Sequence, residues 1–389
     1  MTTQLLEGRW NETKDALLEG LQGSKRTTMA VILENTKKHL METATSGATA
    51  VGNVATLNRV ILPVIRRVMP TVIANEIVGV QPMTGPVAQI HTLRVRYADQ
   101  VTATSGDSTV GGDEALSPFK IATAYSGTTA GKAASTSTLE GTPGNRINVQ
   151  ILKQVVEAKT RKLSARWTFE AAQDAQSMHG LDVEAEIMAA LAQEITVEID
   201  QEILASLAAL SGNTYNYNQA TVSGTATFVG DEHAALAVLI NRAANLIAQR
   251  TRRGAANWAV VSPEALTVLQ SATTSAFARS TEGTFEAPTN TKFVGTLNSA
   301  MKIYVNSYAG TGTSVLVGYK GSSEADAAAF YCPYVPLMSS GVVLDPNTFE
   351  PVVGFMTRYG YAELTNTASS LGNAADYLES IGVSNLSFQ

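Results

Sequence analysis

Residues 182–209 read DVEAEIMAALAQEITVEIDQEILASLAA, the most strongly periodic segment of the chain. Asp182 is a favourable N-cap, and glutamates follow it in the first turn, where the helix macrodipole favours anions. The apolar residues that recur at every fourth position are Val183, Ile187, Leu191, Ile195, Ile199, Ile203 and Leu207. Four residues turn a helix by about 400°, so this apolar line drifts about 40° per step around the axis. The pattern predicts a helix about 40 Å long that packs against different partners along its length.

The chain before this helix divides into three parts. Residues 1–45 are charged and amphipathic, which predicts a helical arm that is not part of a core. A strand is predicted at 91–97, where Leu93, Val95 and Tyr97 alternate with other residues. Residues 99–150 are rich in Ser, Thr, Gly and Ala and have few large apolar side chains, so they cannot form a core. We expect a long projecting hairpin that a neighbouring subunit helps to order.

The chain after this helix mixes helices and strands. A second amphipathic helix is predicted at 231–253, because Asp231 is a suitable N-cap and Gly254 follows a group of arginines. Strands are predicted at 257–261, 302–308 and 314–319, and Ser262 followed by Pro263 predicts the start of a short helix. These patterns predict an α+β fold with a long central helix and mixed sheets.

Length and composition exclude several classes of protein. The 389 residues are enough for two or three domains. The single cysteine excludes intrachain disulfides, and the four histidines are too far apart in sequence to suggest a metal site. A net charge of -6 argues against a dedicated nucleic-acid-binding protein. No run approaches the roughly 18 apolar residues of a transmembrane helix, and the charged first residues do not resemble a secretory signal.

The sequence contains no convincing active-site motif. Residues 127–132 read GTTAGK, with three residues between the glycines where a phosphate-binding loop has four. His179 lies between two aspartates, but its position before Gly180 favours a turn or cap over acid–base chemistry. Cys332 has no base beside it, which favours a buried structural thiol. We therefore predict no catalytic residue, no cofactor, no metal site and no enzymatic activity.

Charge is strongly segregated along the chain. Residues 167–241 contain eleven acidic residues and no Lys or Arg, whereas basic residues are grouped just before and just after them. Either an acidic element lies against a basic element of the same or a neighbouring subunit, or an exposed acidic helix keeps the protein soluble. The candidate intersubunit contacts are Arg66, Arg67, Lys159, Arg161, Lys162, Glu184, Glu198 and Glu202.

Several segments, in order between residues 57 and 361, resemble the major capsid protein family of T-even-type tailed bacteriophages. They are GVQPM at 79–83, LRVRY at 93–97, KQVVEAKTRKL at 153–163, AQD at 172–174, HGLD at 179–182, GYKG at 318–321, YCPYV at 331–335 and the segment 349–360. Each motif alone is modest, but their number and order make the resemblance specific.

This resemblance implies the Hong Kong 97-type phage capsid fold. Its parts would be an N-terminal arm (1–56), the first part of a peripheral domain (57–98), an extended loop (99–166), the spine helix of the peripheral domain (167–214), an axial domain (215–335), and a return to the peripheral domain with a C-terminal tail (336–389). The extended loop is too short for the insertion domain of the best-known members, so decoration would differ.

The resemblance also implies a function. Family members form hexamers, and in some phages pentamers, that close an icosahedral or prolate shell around double-stranded DNA. The expected partners are further copies of the chain, a scaffold, a portal, vertex or decoration proteins and non-specifically contacted DNA, with no membrane. The protein would be a virion component that is assembled in the host cytoplasm. The alternatives are a pentameric vertex paralogue and a cellular nanocompartment shell protein of the same fold.

In this family a maturation protease cuts after a glutamate that is preceded two residues earlier by Ile or Leu. Glu34 fits this pattern and is the candidate processing site, and Glu7 and Glu19 fit it as well. We expect an uncut arm that clasps neighbouring capsomers, and chains beginning near Asn35 in the particle would contradict this expectation.

Overall fold

A computed structural model of the chain describes residues 23–45, 72–101, 135–141, 143–180, 182–219, 229–251, 253–272, 277–279, 292–309, 314–323, 326–364 and 374–386, with a few single residues elsewhere. The helices are α1 (Gly23–Thr45), α2 (Ala74–Ile77), α3 (Thr136–Leu139), α4 (Phe169–His179), α5 (Val183–Leu210), α6 (Val229–Thr251) and α7 (Pro263–Ser271), with a 3₁₀ turn at Ala374–Tyr377. The strands are β1 (Gly79–Val80), β2 (Val87–Tyr97), β3 (Ile147–Glu157), β4 (Lys159–Arg166), β5 (Gly212–Asn218), β6 (Trp258–Val261), β7 (Phe277–Arg279), β8 (Lys292–Leu297), β9 (Met301–Val305), β10 (Val315–Gly318), β11 (Ala329–Ser339), β12 (Val343–Leu344), β13 (Pro351–Glu363) and β14 (Leu378–Ser384).

The chain folds into two compact units. The first unit consists of Met1–Ala88, Val156–Ala205 and Phe330–Ala362, and the second of Gln89–Val155, Ser206–Ala329 and Glu363–Gln389. Both units combine helices with sheets, which confirms the predicted α+β class.

The first unit is built on a five-stranded sheet. The strand order is β1-β11-β13-β12, and β4 also pairs with β13. Burial alternates along most of β13, because successive side chains of a strand point to opposite faces of the sheet. Strands β4 and β13 are antiparallel, in a register that runs from Val352 opposite Arg166 to Tyr359 opposite Lys159. At Gly360 an added Cβ would meet Val156 Cγ1 at 2.5 Å, so this position requires glycine.

Helix α5 is the long helix that the periodic segment predicts. Asp182 caps it as expected, since its Oδ1 accepts hydrogen bonds from the backbone N–H groups of Glu184 at 3.1 Å and Ala185 at 3.4 Å. The residues of the apolar line that are only 1% exposed in the first unit are Ile195, Ile199 and Ile203. Burying each such side chain stabilises the fold by about 1.5–3 kcal/mol.

Helix α1 contributes to the core of the first unit. Its buried apolar residues are Met29, Ile32 and Leu33, each at most 3% exposed. The side-chain amide of Asn35 donates hydrogen bonds to the carbonyl oxygens of Met83 at 2.7 Å and Tyr334 at 3.3 Å. The helix therefore differs from the expected arm outside any core, because its apolar stripe packs within the unit.

The second unit contains a seven-stranded sheet in the order β5-β14-β10-β6-β9-β8-β7. Apolar residues of this sheet pack with those of α6 and α7 in one core. The N-cap predicted at Ser262 is confirmed, because its Oγ accepts a hydrogen bond from the N–H of Ala265 at 3.2 Å and Pro263 begins α7. The strands predicted at 257–261, 302–308 and 314–319 correspond to β6, β9 and β10.

Strands β2 and β3 pair in a separate two-stranded sheet at the base of the predicted hairpin. The Ala98 N–H donates to the carbonyl of Arg146 at 2.9 Å, and an ion pair of 3.0 Å joins Arg146 to Asp99. The hydrogen bonds from Arg146 lower the pKa of Asp99.

Sheet membership differs from the predicted domain limits at two places. The extended loop is predicted to reach residue 166, but β4 is hydrogen-bonded to β13 in the sheet of the first unit. The segment 336–389 is predicted to return to the peripheral domain, but β14 lies between β5 and β10 in the sheet of the second unit. The reason is the apolar side of β14, whose Ile381 and Val383 are at most 6% exposed and pack in the core of the second unit.

Candidate functional site

Strand β4 and helix α5 place a charged cluster on the first unit. Arg161 lies in β4 opposite Thr357. Its guanidinium donates to three acceptors: Glu198 Oε2 at 2.9 Å, Glu202 Oε2 at 2.7 Å and the Tyr359 hydroxyl at 2.6 Å. The two glutamates are four residues apart on α5, so they share one face of the helix. We call Arg161, Glu198, Glu202 and Tyr359 the Arg161 cluster.

Burial and hydrogen bonding together set the charges of the cluster. Burial opposes the charges of Arg161 and Glu202, but hydrogen bonds between them and with Tyr359 outweigh it, so the pKa of Arg161 is raised and that of Glu202 is lowered. Burial is the main reason that the pKa of Tyr359 is raised, and its hydroxyl donates to Glu202. All three groups keep their ordinary charges at neutral pH, so the cluster acts as a fixed ion-pair network and not as an acid–base pair.

The other predicted contact residues are spread over the first unit. Lys159 and Lys162 are exposed on β4, and Glu184 is half-buried in the first turn of α5. Arg66 and Arg67 lie outside the described residues. The structure thus brings together the three charged residues of the Arg161 cluster within one chain, and the intersubunit role of all eight candidates stays a prediction.

The candidate processing site lies within helix α1. The Glu34 side chain is 52% exposed and accepts a hydrogen bond from Lys14 Nζ at 3.0 Å. Its neighbours Ile32 and Leu33 are each 1% exposed. Cleavage after Glu34 would require local opening of the helix, because the buried neighbours hold the backbone in place.

The structure also reveals an apolar surface that the sequence reasoning missed. Ile147, Val149, Ile151 and Val155 are 52%, 63%, 67% and 51% exposed. They lie an even number of positions apart in β3 and therefore share one face of the strand, on which Lys153 also lies. We call these four residues the β3 stripe. The alternation of Ile147, Val149 and Ile151 with polar residues could have predicted this surface. The polar composition of the preceding segment makes that short pattern easy to overlook.

The described residues give no indication of a chemical site. No group of three or more His, Cys, Asp or Glu among them is close enough to hold a metal ion. Cys332 is 1% exposed, and burial raises its pKa to about 11, as suits a structural thiol. His179 ends α4 before Gly180, which has a left-handed φ of 66°. The segment 127–132 lies outside the described residues.

No helix in the described part of the chain is long and apolar enough to cross a membrane.

Comparison with known proteins gives a consistent result. The sequence matches a family model described as major capsid protein Gp23 over residues 54–383. The major capsid protein of Vibrio phage KVP40 is 30% identical, in an alignment that covers 85% of this chain and 82% of that protein. The major capsid protein of Enterobacteria phage T4 is 29% identical, with 79% and 75% covered.

Solved structures are similar at a lower level. A chain of Microbacterium phage Oxtober96 has a TM-score of 0.45 and 11% identity, with 80% of this chain and 90% of that chain covered. A chain from the capsid of Myoviridae phage XM1 has a TM-score of 0.43 and 11% identity, with 79% and 89% covered. The family assignment rests on the sequence matches and not on these structural similarities.

Proposed function

This chain belongs to the Gp23 major capsid protein family, whose members form the head shell of tailed phages, and we propose that its subunits assemble as rings of six that close around double-stranded DNA. The family is structural, which confirms the prediction of a protein without enzymatic activity, and its place is the virion capsid. Rings of five at the vertices and contacts with a scaffold, a portal and decoration proteins belong to the same proposal.

The observation that carries the ring proposal is the β3 stripe. Its four aliphatic side chains are each more than half exposed in the single subunit. Burying the exposed half of such a side chain against a neighbouring subunit contributes about 1 kcal/mol to the free energy of association. The four residues of the stripe together contribute about 4 kcal/mol. A contact between two different surfaces of the same chain is head-to-tail, and such contacts form rings when the rotation from one subunit to the next closes on itself.

The two units correspond, in this proposal, to the two domains of the capsid fold. We propose that the first unit, with α5 and the five-stranded sheet, is the peripheral domain, and that the seven-stranded sheet of the second unit belongs to the axial domain. The β2–β3 hairpin is then the extended loop. These assignments place the β3 stripe on the element best suited to reach a neighbour.

The net charge of the chain is compatible with a shell that encloses double-stranded DNA. The net charge of -6 opposes tight binding to a polyanion, because affinity for DNA depends on cations that neutralise phosphates. A shell lining of this kind encloses DNA without holding it in place.

The ring proposal is tested with a matched pair of variants. Val149→Asp puts a charge in the β3 stripe, whereas Val238→Asp changes an equally exposed valine of α6, at 64% against 63%. Sedimentation of the full chain should show rings for the wild type and for Val238→Asp, and slowly sedimenting subunits for Val149→Asp. Rings that form equally well with Val149→Asp would refute the role of the stripe. The number of subunits in each ring distinguishes the main shell protein from a vertex protein. Many rings of six in each particle would identify the main shell protein.

A further inference from the structure

The hairpin that carries the β3 stripe has a small apolar cluster of its own. Tyr97, Ala115 and Tyr125 are 7%, 6% and 8% exposed, and Val95 and Val101 pack against them. The centroids of the Tyr97 and Tyr125 rings are 4.4 Å apart, so the two rings are in direct contact. The hairpin therefore buries apolar side chains within a single subunit, although the composition of residues 99–150 predicts that they cannot form a core.

The Tyr125 side chain connects β2 and β3 at the place where the paired strands end. Its hydroxyl accepts a hydrogen bond from the Asp99 N–H at 3.3 Å and donates one to the carbonyl oxygen of Arg146. Asp99 follows the end of β2 by two residues, and Arg146 directly precedes β3. The side-chain amide of Asn145 donates to the carbonyl oxygen of Tyr125 at 2.7 Å, which holds the Tyr125 backbone at the same place. We call the following residues the Tyr125 clasp: Tyr97, Asp99, Ala115, Tyr125 and Arg146.

An ion pair joins Asp99 to Arg146 within the clasp. Asp99 Oδ2 accepts hydrogen bonds from the backbone N–H of Arg146 at 2.7 Å and from its Nε at 3.3 Å, and Oδ1 accepts one from Nη2 at 3.0 Å. The Arg146 side chain is 76% exposed, so the pair contributes little energy by itself. Binding of a carboxylate at two points by a guanidinium is directional, however, and it holds the ends of β2 and β3 in one arrangement.

Strand β2 has backbone partners on both of its edges. The Ala98 N–H donates to the carbonyl oxygen of Arg146 at 2.9 Å, on the side of β3. On the opposite edge, the Gly112 N–H donates to the carbonyl of Tyr97 at 2.7 Å and the Ala115 N–H to that of Val95 at 2.8 Å. Gly111 permits this close approach, because a Cβ there would lie 2.9 Å from the carbonyl oxygen of Ala98.

From these contacts, and resting on the proposed function, we infer that the hairpin takes its shape in the single subunit and that Tyr125 is the positioning residue that fixes it, so that a neighbouring subunit meets a preformed β3 stripe. Every contact of the clasp lies within one chain and leaves the stripe face of β3 exposed. This inference replaces the expectation that a neighbouring subunit helps to order the hairpin.

The order of the hairpin decides how much of the apolar contact is available for association. A hairpin that became ordered only on contact would lose conformational entropy at every residue, and four aliphatic side chains contribute too little to offset that loss over a long segment. A hairpin that is ordered beforehand leaves the whole contribution of the stripe for ring formation. Loosening the clasp should therefore weaken ring formation even though the stripe residues themselves are unchanged.

Hydrogen–deuterium exchange tests the shape of the hairpin, with the full chain diluted until single subunits predominate. The amides of Ala98, Gly112, Ala115 and Arg146 should exchange at least about tenfold more slowly than amides of an unstructured peptide. Tyr125→Phe keeps the ring and removes both hydrogen bonds of the hydroxyl, so exchange at these amides should become about tenfold faster.

A matched control separates this effect from a general loss of stability. Tyr215→Phe removes the hydroxyl of a half-buried tyrosine in β5 whose ring lies 4.9 Å from the Arg242 guanidinium, and it should leave the four hairpin amides unchanged. The amides of β6, within the seven-stranded sheet, should stay protected in every variant. Faster exchange in β6 as well as in the hairpin would show that Tyr125 only stabilises the whole second unit, and would overturn its positioning role.

Sedimentation over a range of concentrations tests the consequence for assembly. Tyr125→Ala also removes the ring, and rings of six should then need about tenfold more subunit, because only the ordered fraction can associate. Unchanged exchange and unchanged ring formation with Tyr125→Ala would overturn the role of Tyr125. Wild-type hairpin amides that exchange rapidly in single subunits and slowly only in rings would overturn the inference and leave the ring proposal standing. A wild-type chain that never forms rings would overturn the proposed function and the preformed contact with it, whereas slow exchange in that chain would still support a hairpin that folds by itself.

Discussion

Replacing Arg161 by alanine tests whether the Arg161 cluster stabilises the first unit. The variant loses two ion pairs with carboxylates that are 44% and 39% exposed, which contribute about 0.5 kcal/mol each in such partly solvated positions. It also loses the hydrogen bond to Tyr359, which is 4% exposed, at a cost of about 1 kcal/mol. The free energy of unfolding should therefore fall by about 2 kcal/mol.

The assay is urea unfolding of the unassembled chain at neutral pH. Lys162→Ala is the control, because Lys162 is an exposed cation of the same strand and has no ion pair with the described residues. It should lower the free energy of unfolding by less than about 0.5 kcal/mol. A loss for Arg161→Ala that is no larger than the loss for Lys162→Ala would refute the reasoning.

The pH dependence supplies a second check on the same cluster. The folded pKa of Glu202 lies below its usual value of 4.5, so the unfolded chain takes up a proton first as the pH falls. The stabilisation by Glu202 is fully present above pH 4.5 and is lost as the pH passes below the folded pKa. The cost of Arg161→Ala should shrink in that acidic range. An Arg161→Ala cost that stays constant down to the acid unfolding of the chain would contradict the assigned pairing.

Three further predictions concern other parts of the chain. Gly318→Ala places a Cβ about 2.1 Å from the Trp258 ring and should lower the free energy of unfolding in urea by about 2–3 kcal/mol; wild-type stability would show that the ring has room to move. Cys332, with a pKa raised to about 11, should react with a thiol reagent at pH 8 only as denaturant unfolds the chain, and rapid labelling of native protein would contradict its burial. Burial lowers the pKa of His233, whose ring lies 2.6 Å from Ser271 Oγ, so the unfolded chain binds its proton first and stability should fall as the pH drops below 6.5. His233→Gln should reduce the change of the free energy of unfolding with pH, measured by denaturation between pH 5 and 7. An unchanged pH dependence would show that other groups cause it.

Sequence alone predicts the elements whose signals are local. The cap at Asp182, the apolar line of α5 and the Ser262–Pro263 start of α7 each depend on residues within a few positions of one another. Family resemblance adds the function, because ordered motifs along the chain identify the capsid family.

The sequence does not predict contacts between distant segments. Asn35 reaches the carbonyl of Tyr334 across 299 positions, and nothing local shows that the stripe of α1 packs in the first unit. The partnership of Arg161 with Tyr359 likewise depends on the register between β4 and β13. The predicted boundaries of the extended loop and of the C-terminal segment therefore differ from the sheet membership of β4 and β14.

The claim that this chain builds a shell through the β3 stripe is tested most directly by cryo-electron microscopy of particles assembled from the full chain. We predict closed shells or tubes of six-membered rings, with the 147–155 face of β3 covered by the next subunit in each ring. Discrete monomers or dimers under assembly conditions, or rings in which that face stays open to solvent, would contradict the account.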